Sequence, residues 1–326
     1  MLTKATLTIT WTEAEITYTK PSVTLNSVSS NYAPSKEITV SWSGTAGSNN
    51  NISKYEYIYK DVKEEPSSST SGTSTGTTAS TKITTPSTTA GNNTSKYFYV
   101  KPYGTNSSYN GSWTGPLTIT SYYTNISWSK NFKISGYTDT IYIGASGSPK
   151  GKLTWDNATA GSNNNTSSYK FYKDSIEITS YDKESYTLST GTYKVQVTPE
   201  IGDVISSNSI TVKKLSNLTE PSFSSTLKTT VDSDFNFTIT SLNKNDFSGV
   251  NSITQKVERI YNGSTKTITL TNNSGTCSVG DITNDTTFQL KITTTYNDNF
   301  GGYTTETYTT SDIKKIKKIE APSDFI

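Results

Sequence analysis

The chain has 326 residues and contains no histidine, one cysteine (Cys277) and one methionine. Without histidine it lacks both the usual general base and the commonest metal ligand. Ser-His-Asp and Cys-His catalysis and histidine-based zinc sites are therefore excluded. A single cysteine closes no disulfide within the chain and cannot build a zinc ribbon or an iron–sulfur site, so Cys277 is expected to be a buried thiol. No stretch approaches the apolar length of a membrane span. Charge is scarce and balanced, with 29 basic and 27 acidic residues and a net charge of +2. Phosphate neutralisation needs a concentrated basic face, so no nucleic acid partner is expected. The one basic run, Lys314-Lys315-Ile316-Lys317-Lys318, reads as a solvated tail. Met1–Trp11 has no basic segment followed by an apolar core and is not a Sec signal. Met1 reads as a native start.

The carboxylates offer little chemistry. Glu13 and Glu15, Glu56, Asp61, Glu64 and Glu65, Asp156 and Glu177 are scattered over strand and loop positions, and no pair can be set across a cleft as glycoside hydrolysis requires. Asp232-Ser-Asp234 and Asn243-Lys-Asn245-Asp246 carry oxygen ligands but lack the spacing and glycine of a calcium loop, and Asp and Asn are ordinary turn formers. Gly301-Gly302 and Gly44-x-x-Gly47 lack the Lys-Ser/Thr of a phosphate loop. No catalytic, cofactor-binding or metal residue is assigned, and no enzyme is expected.

What is present is a repeat. Trp42-Ser-Gly-Thr-Ala-Gly-Ser-Asn-Asn-Asn-Ile-Ser-Lys-Tyr55-Glu-Tyr57-Ile-Tyr59 returns as Trp155-Asp-Asn-Ala-Thr-Ala-Gly-Ser-Asn-Asn-Asn-Thr-Ser-Ser-Tyr169-Lys-Phe171-Tyr172, about 114 residues later. A strand ending in Trp, an Ala-Gly-Ser-Asn-Asn-Asn connection and a Tyr-rich strand have been used twice, at the spacing of a small β-sandwich. Hydrophobic residues make up 31% and the mean hydropathy is −0.57. That is lean for one large core but sufficient for several small sandwiches that bury alternate residues. Thr and Tyr favour the pleated, half-buried surface of a sheet.

The expected fold is all-β, in tandem Ig-like or fibronectin type III-like β-sandwiches. Residues 1–20 are read as one or two strands, Ala5–Trp11 with Leu7, Ile9 and Trp11 on one face, and Glu15–Thr19; they are too few for a sheet and are expected to pair with either the first sandwich or another subunit. Residues 21–121 form the first sandwich, with strands Ile38–Trp42, Tyr55–Tyr59, Lys82–Thr85, Tyr97–Gly104 and Leu117–Thr120, and Pro66–Ser80 as a flexible loop. Residues 122–213 form the second, with Tyr193, Val195 and Val197 facing inward. Residues 214–312 form a third that lacks the cassette, with Phe288, Leu290 and Ile292 inward and a type I′ hairpin at Asn262-Gly263. Residues 313–326 are a tail in which Ile313, Ile316 and Ile319 form either one short helical stripe or the end of the last strand, with an ordered contact expected only in an assembly.

Val40-Ser-Trp42, Tyr55–Tyr59 and Phe98-Tyr-Val100-Lys-Pro102-Tyr103-Gly104 together resemble the fibronectin type III family, as do Lys152–Trp155 with Tyr193-Lys-Val195-Gln-Val197. In that family a Trp ends the second strand and packs inward. The Gly-Ser-Asn-Asn connection resembles modules of bacteriophage virion proteins and some bacterial surface proteins. The resemblance covers roughly residues 21–213 and implies a spacer or binding module without catalytic residues.

Tyr55, Tyr57, Tyr59, Tyr97 and Tyr99 are the candidate site. Their rings are either core and interface or a platform for a glycan. The sequence leads first to a non-enzymatic bacteriophage virion protein, such as a head fibre, capsid decoration or tail-associated module. It would be assembled in the host cytoplasm, docked on other virion proteins through its N-terminal strands and oligomeric, as a trimer if a fibre. The alternative is a bacterial surface adhesin or carbohydrate-binding module. No cofactor is expected.

Overall fold

The computed structural model describes residue 1 and residues 4–319. The chain is all-β, a tandem series of β-sandwiches of the Ig and fibronectin III-like kind, and it divides into two compact units. One comprises Met1–Ser127, Ala158–Ser167 and Pro199–Asp203; the other comprises Trp128–Asn157, Ser168–Thr198 and Val204–Ile326.

The first unit carries seven strands: β1 (Ser22–Leu25), β2 (Glu37–Thr45), β3 (Ile52–Lys60), β4 (Thr73–Gly76), β5 (Ser80–Thr84), β6 (Thr94–Gly104) and β7 (Thr114–Ser121). One sheet runs β1-β2-β5 and the other β4-β3-β6-β7. Setting the fourth strand beside the third is the fibronectin III-like arrangement. Alternation explains the pairing of the sheets. Val23, Val40, Trp42 and Ile83 from the first meet Tyr55, Phe98, Val100 and Ile119 from the second in one core. Trp42 is 3% exposed and packs edge-on to Tyr55 at 5.6 Å and tilted against Phe98 at 5.9 Å.

The second unit contains two cores. Phe132, Ile134, Leu153, Phe171, Tyr193, Val195, Ile210 and Val212 form one. Its main sheet pairs Gly191–Pro199 with Ile210–Lys214, which runs parallel to Thr140–Ile143. Val257, Cys277, Phe288, Leu290 and Ile292 join Phe237 in the other, around the long hairpins Ser252–Tyr261/Ser264–Ile268 and Thr287–Asn297/Gly302–Thr309. Asn262 and Gly263 have φ of 50° and 73°, the two positive values that a type I′ turn needs. Tyr193, Val195 and Val197 are fully buried, as are Leu290 and Ile292, and Phe288 nearly so.

Four expectations are corrected. Residues 5–11 and 15–19 form no strand; Leu7, Ile9, Trp11 and Ile16 stand exposed because nothing among the described residues pairs with them. Pro66–Ser80 is no free loop. It contains β4, and the carbonyls of Ser67 and Ser68 accept from Trp113 Nε1 at 3.1 Å and Lys101 Nζ at 2.9 Å. The tail is not left for an assembly: Ile313–Lys315 is a strand, parallel to Thr230–Val231 and antiparallel to Thr287–Phe288. Nor is the basic run wholly solvated, since Lys315 is buried and donates to the Val279 carbonyl at 2.6 Å. Residues 320–326 of that tail, and residues 2–3 of the N-terminal expectation, lie outside the described residues. Several short strands are additional to the expected set, among them β1, Ile176–Ile178 and Ser274–Cys277.

Candidate functional site

The repeated Ala-Gly-Ser-Asn-Asn-Asn connection does one job twice. In the first copy it grips the segment that leads into β1. Thr19 N–H donates to the Ser48 carbonyl at 3.2 Å, and Ser48 N–H donates to the Thr19 hydroxyl at 2.6 Å. Asn49 Nδ2 donates to the Thr17 carbonyl at 3.0 Å. Asn50 Nδ2 donates to the Thr19 carbonyl at 3.0 Å and to the Tyr109 carbonyl at 2.9 Å, while its Oδ1 accepts from Asn106 N–H at 2.9 Å.

In the second copy the gripped segment follows β7. Thr124 N–H donates to the Ser162 carbonyl at 3.1 Å, and Ser162 N–H donates to the Thr124 hydroxyl at 2.8 Å. Asn163 Nδ2 reaches the Tyr122 carbonyl at 2.9 Å. Asn164 Nδ2 donates to the Thr124 and Ile201 carbonyls, both at 3.0 Å, and its Oδ1 accepts from Ile201 N–H at 3.0 Å.

The residue types follow from the geometry. The first loop is closed by reciprocal backbone bonds between Gly47 and Asn50, and the second is bridged at the same place, with Gly161 N–H donating to the Asn164 carbonyl at 2.9 Å. Asn49 and Asn163 have φ of 51° and 49°, a left-handed conformation that Asn adopts more readily than most residues. A Cβ on Gly47 would lie 2.0 Å from the Thr19 carbonyl oxygen, and one on Gly161 would lie 2.2 Å from that of Thr124. Only glycine lets the gripped backbone come so near. Asn50 and Asn164 are each 1% exposed, which is tolerable because a primary amide so placed satisfies donors and acceptor together.

The third sandwich uses another connection. The loop between Thr287–Asn297 and Gly302–Thr309 centres on Asp298, which is buried. Its Oδ2 accepts from Gly144 N–H at 2.6 Å, and its Oδ1 accepts from Phe300 N–H at 2.7 Å and Gly302 N–H at 2.8 Å. Phe300 enters the core around Phe171, and Ser146-Gly147 pairs with Gly302-Tyr303. Gly301-Gly302 thus serves this loop.

The candidate tyrosines separate. Tyr55 and Tyr99 are 5% and 1% exposed. Tyr57 stacks on Phe98 at 5.3 Å, and Tyr59, like Tyr57, packs half-buried on the same core. Tyr97 is half-buried. Tyr59 Oη has no hydrogen-bond partner, and burial, then the charge of Asp61, pushes its pKa up to about 12. Tyr57 and Tyr59 also line a groove of about 740 Å³ with Ile58, Thr73, Lys82 and Lys96. Both lysines are matched, Lys82 by Glu37 at 2.6 Å and Lys96 by Asp61 at 3.1 Å.

The carboxylates not on the open surface are structural. Glu56 accepts from Lys54 Nζ at 2.5 Å, Gly72 N–H at 3.1 Å and Tyr103 Oη at 2.9 Å. Burial opposes its charge, but these donors outweigh burial and hold its pKa below the usual range. Asp234 accepts from Val279 N–H, and Asn243 caps the 3-10 turn Lys244–Asp246, so both oxygen-rich segments act as turns. Among the described residues no group of three or more His, Cys, Asp or Glu could hold a metal ion. No helix there is long and apolar enough to cross a membrane. Cys277 is fully buried, which pushes its thiol up to about 11.

No protein-family model matches the chain, and no curated protein matches it in sequence. Solved structures that resemble it are arrays of sandwiches. Three N-terminal domains of the highly immunogenic outer capsid protein of bacteriophage RB49 are 11% identical over 93% of this chain and all of that one, at a TM-score of 0.30. The first three fibronectin domains of chicken CNTN1 are 14% identical over 92% of this chain and 99% of that one, at 0.23. Mouse cadherin-23 repeats 22–24 are 12% identical over 92% of this chain and all of that one, at 0.22. The fold and the uses of its polar groups define a multi-domain protein of tandem β-sandwiches.

Proposed function

We propose that the chain is an adhesive spacer of a bacterial surface, a tandem series of sandwiches that carries a contact face. The observation that supports this reading most is the twin grip at Gly47–Asn50 and Gly161–Asn164. A device that holds the backbone entering a module, made twice, serves a protein whose task is to transmit position and load. The contact face in this reading is the groove beside Tyr57 and Tyr59, and its ligand is a neutral glycan. Rings supply an apolar floor, Thr73 and Thr84 supply hydroxyls, and the two lysines already have carboxylate partners. Tyr55 and Tyr99 then support the fold, and Tyr97 stays outside the groove lining.

A glycan array probed with the full chain tests this. Saturable binding that falls at least about tenfold on Thr73→Trp, which fills the groove from an exposed position, agrees with it. Silence across the array removes the glycan reading.

A second reading, a bacteriophage virion protein in a head fibre, capsid decoration or tail, draws on the exposed alternation of Leu7, Ile9 and Trp11, which suits docking onto another virion subunit by strand addition. Finding the chain in the density of a purified particle would decide for it, and light scattering would test the homo-oligomer that either reading expects.

A further inference from the structure

Two cavities in the third sandwich adjoin. One, of about 470 Å³, is lined by Asn236, Phe237, Thr238 and Ser274 among others. The other, of about 330 Å³, is lined by Arg259, Lys266, Thr267, Ile268 and Ser278. Thr269, Thr271 and Thr276 border both, so the two make one groove. Its place follows from the strand pairing. Ser264–Ile268 ends the larger sheet, and Ser274–Cys277 pairs with Phe235–Thr238 in the other. Residues 269–273 carry the chain from one edge to the other, and the groove follows that seam.

One end of the groove is neutral and rich in hydroxyls. Thr269, Thr271 and Ser274 stand at exposed positions. The Thr276 hydroxyl donates to Asn236 Oδ1 at 2.6 Å, which leaves the amide Nδ2 to donate elsewhere. The other end is cationic. Arg259 and Lys266 are partners across neighbouring strands. Arg259 is 5% exposed. Its terminal nitrogens donate to Asp281 and to the Ser278 carbonyl, yet its Nε is buried without a partner, an uncommon state for a buried donor. Asp281 serves both cations, at 2.6 Å from Arg259 but 3.7 Å from Lys266. Asp234, whose charge also reaches Arg259, is bonded to the Val279 N–H. The Lys266 ammonium, on a side chain 62% exposed, is therefore only loosely matched.

We infer that this groove binds a carboxylated saccharide, with the carboxylate at Lys266 beside Arg259 and the ring hydroxyls on Thr269, Thr271, Ser274 and Asn236. A sugar ring presents hydroxyls that both donate and accept, which short hydroxyl and amide side chains match. A carboxylate is the acceptor that the cationic end lacks, and bonds to a charged donor are the strong ones. A neutral glycan would leave that end unanswered. The groove lies on another sandwich than the Tyr57–Tyr59 groove and rests on neither reading of function above, so its failure leaves both standing and theirs leaves it standing.

The probes are a hyaluronan tetrasaccharide, 3′-sialyllactose and a galacturonic acid trimer, each beside its carboxyl-reduced form, titrated into the full chain at low salt. At least one acid should bind saturably, shift the amide resonances of residues 269–276 and bind at least about tenfold more tightly than its reduced form. Lys266→Gln, at an exposed position, should weaken it at least about tenfold while the urea midpoint holds. Thr269→Trp, which fills the groove from an exposed position, should abolish it. Thr73→Trp in the first sandwich should leave it unchanged, which separates this site from the neutral-glycan groove. If Thr269→Trp does not fold, Lys266→Gln and the resonance shifts decide. Silence from all three acids overturns the inference. So does equal binding of the reduced forms, binding undiminished in Lys266→Gln, or binding of a Glu-rich peptide in place of every saccharide.

Discussion

Asn50 donates its side-chain amide to the Thr19 carbonyl at 3.0 Å, and Asn164 does the same to Thr124 at 3.0 Å. Each amide is completely withdrawn from solvent, and each also ties a second loop, at Tyr109 or Ile201. Removing one should strand two carbonyls and an N–H. Asn50→Ala and Asn164→Ala are each expected to cost about 1–3 kcal/mol, read as a lower urea midpoint. Exchange of the Thr19 or Thr124 amide should quicken in the matching variant only.

Gly47→Ala tests close approach alone, since it deletes no hydrogen bond. The new methyl would collide with the Thr19 carbonyl, so the grip should open although Asn50 is intact. Faster chymotryptic cleavage after Tyr18, inside the gripped segment, is the expected sign. Gly161→Ala should leave Tyr18 as resistant as before and expose Tyr122-Tyr123 to chymotrypsin instead.

Asp298 holds three N–H groups at once. Asp298→Ala should cost about 2–4 kcal/mol, because bonds to a charged acceptor are stronger than neutral ones. Asp298→Asn should cost less, since its remaining oxygen still accepts. Exchange at Gly144, Phe300 and Gly302 together reports the loss.

Asp281 gives the third sandwich an acid dependence. The buried Arg259 guanidinium grips it through two bonds of 2.6 Å and holds its pKa well below the usual carboxylate range. A group whose pKa is depressed by folding adds stability above its unfolded value, near 4, and that stability drains away as pH falls toward the folded value. Urea midpoints should therefore drop between about pH 4 and pH 2, and drop less steeply in Asp281→Asn. A parallel fall in both proteins would contradict the assignment.

Much of the fold could be read from alternation. Val40 and Trp42, Tyr193 to Val197, and Phe288 to Ile292 announce inward faces, and Asn262-Gly263 announces its hairpin. The cassette could be recognised as a repeat, but its purpose could not. Asn49 and Asn50 look like any turn residues until the carbonyls they meet, 31 or more positions away, are in place. A matching Tyr-Thr pair, Tyr18-Thr19 and Tyr123-Thr124, was the available signal. Local reading failed where distant partners decide. Ser67 and Ser68 are ordered by Trp113 and Lys101, and Ile313–Lys315 is ordered by Thr230-Val231. Residues 5–19 show the converse, a strand pattern with no neighbouring strand to pair it.

The loops that seat Thr17–Thr19 and Tyr122–Thr124 bind main-chain oxygens and one hydroxyl, and they ask nothing of the other side chains. Such a socket is indifferent to which domain arrives upstream. Units bearing it can be shuffled, duplicated or recombined without redesigning the junction, so exchange of whole blocks, more than point substitution, is the easiest way for this architecture to diversify.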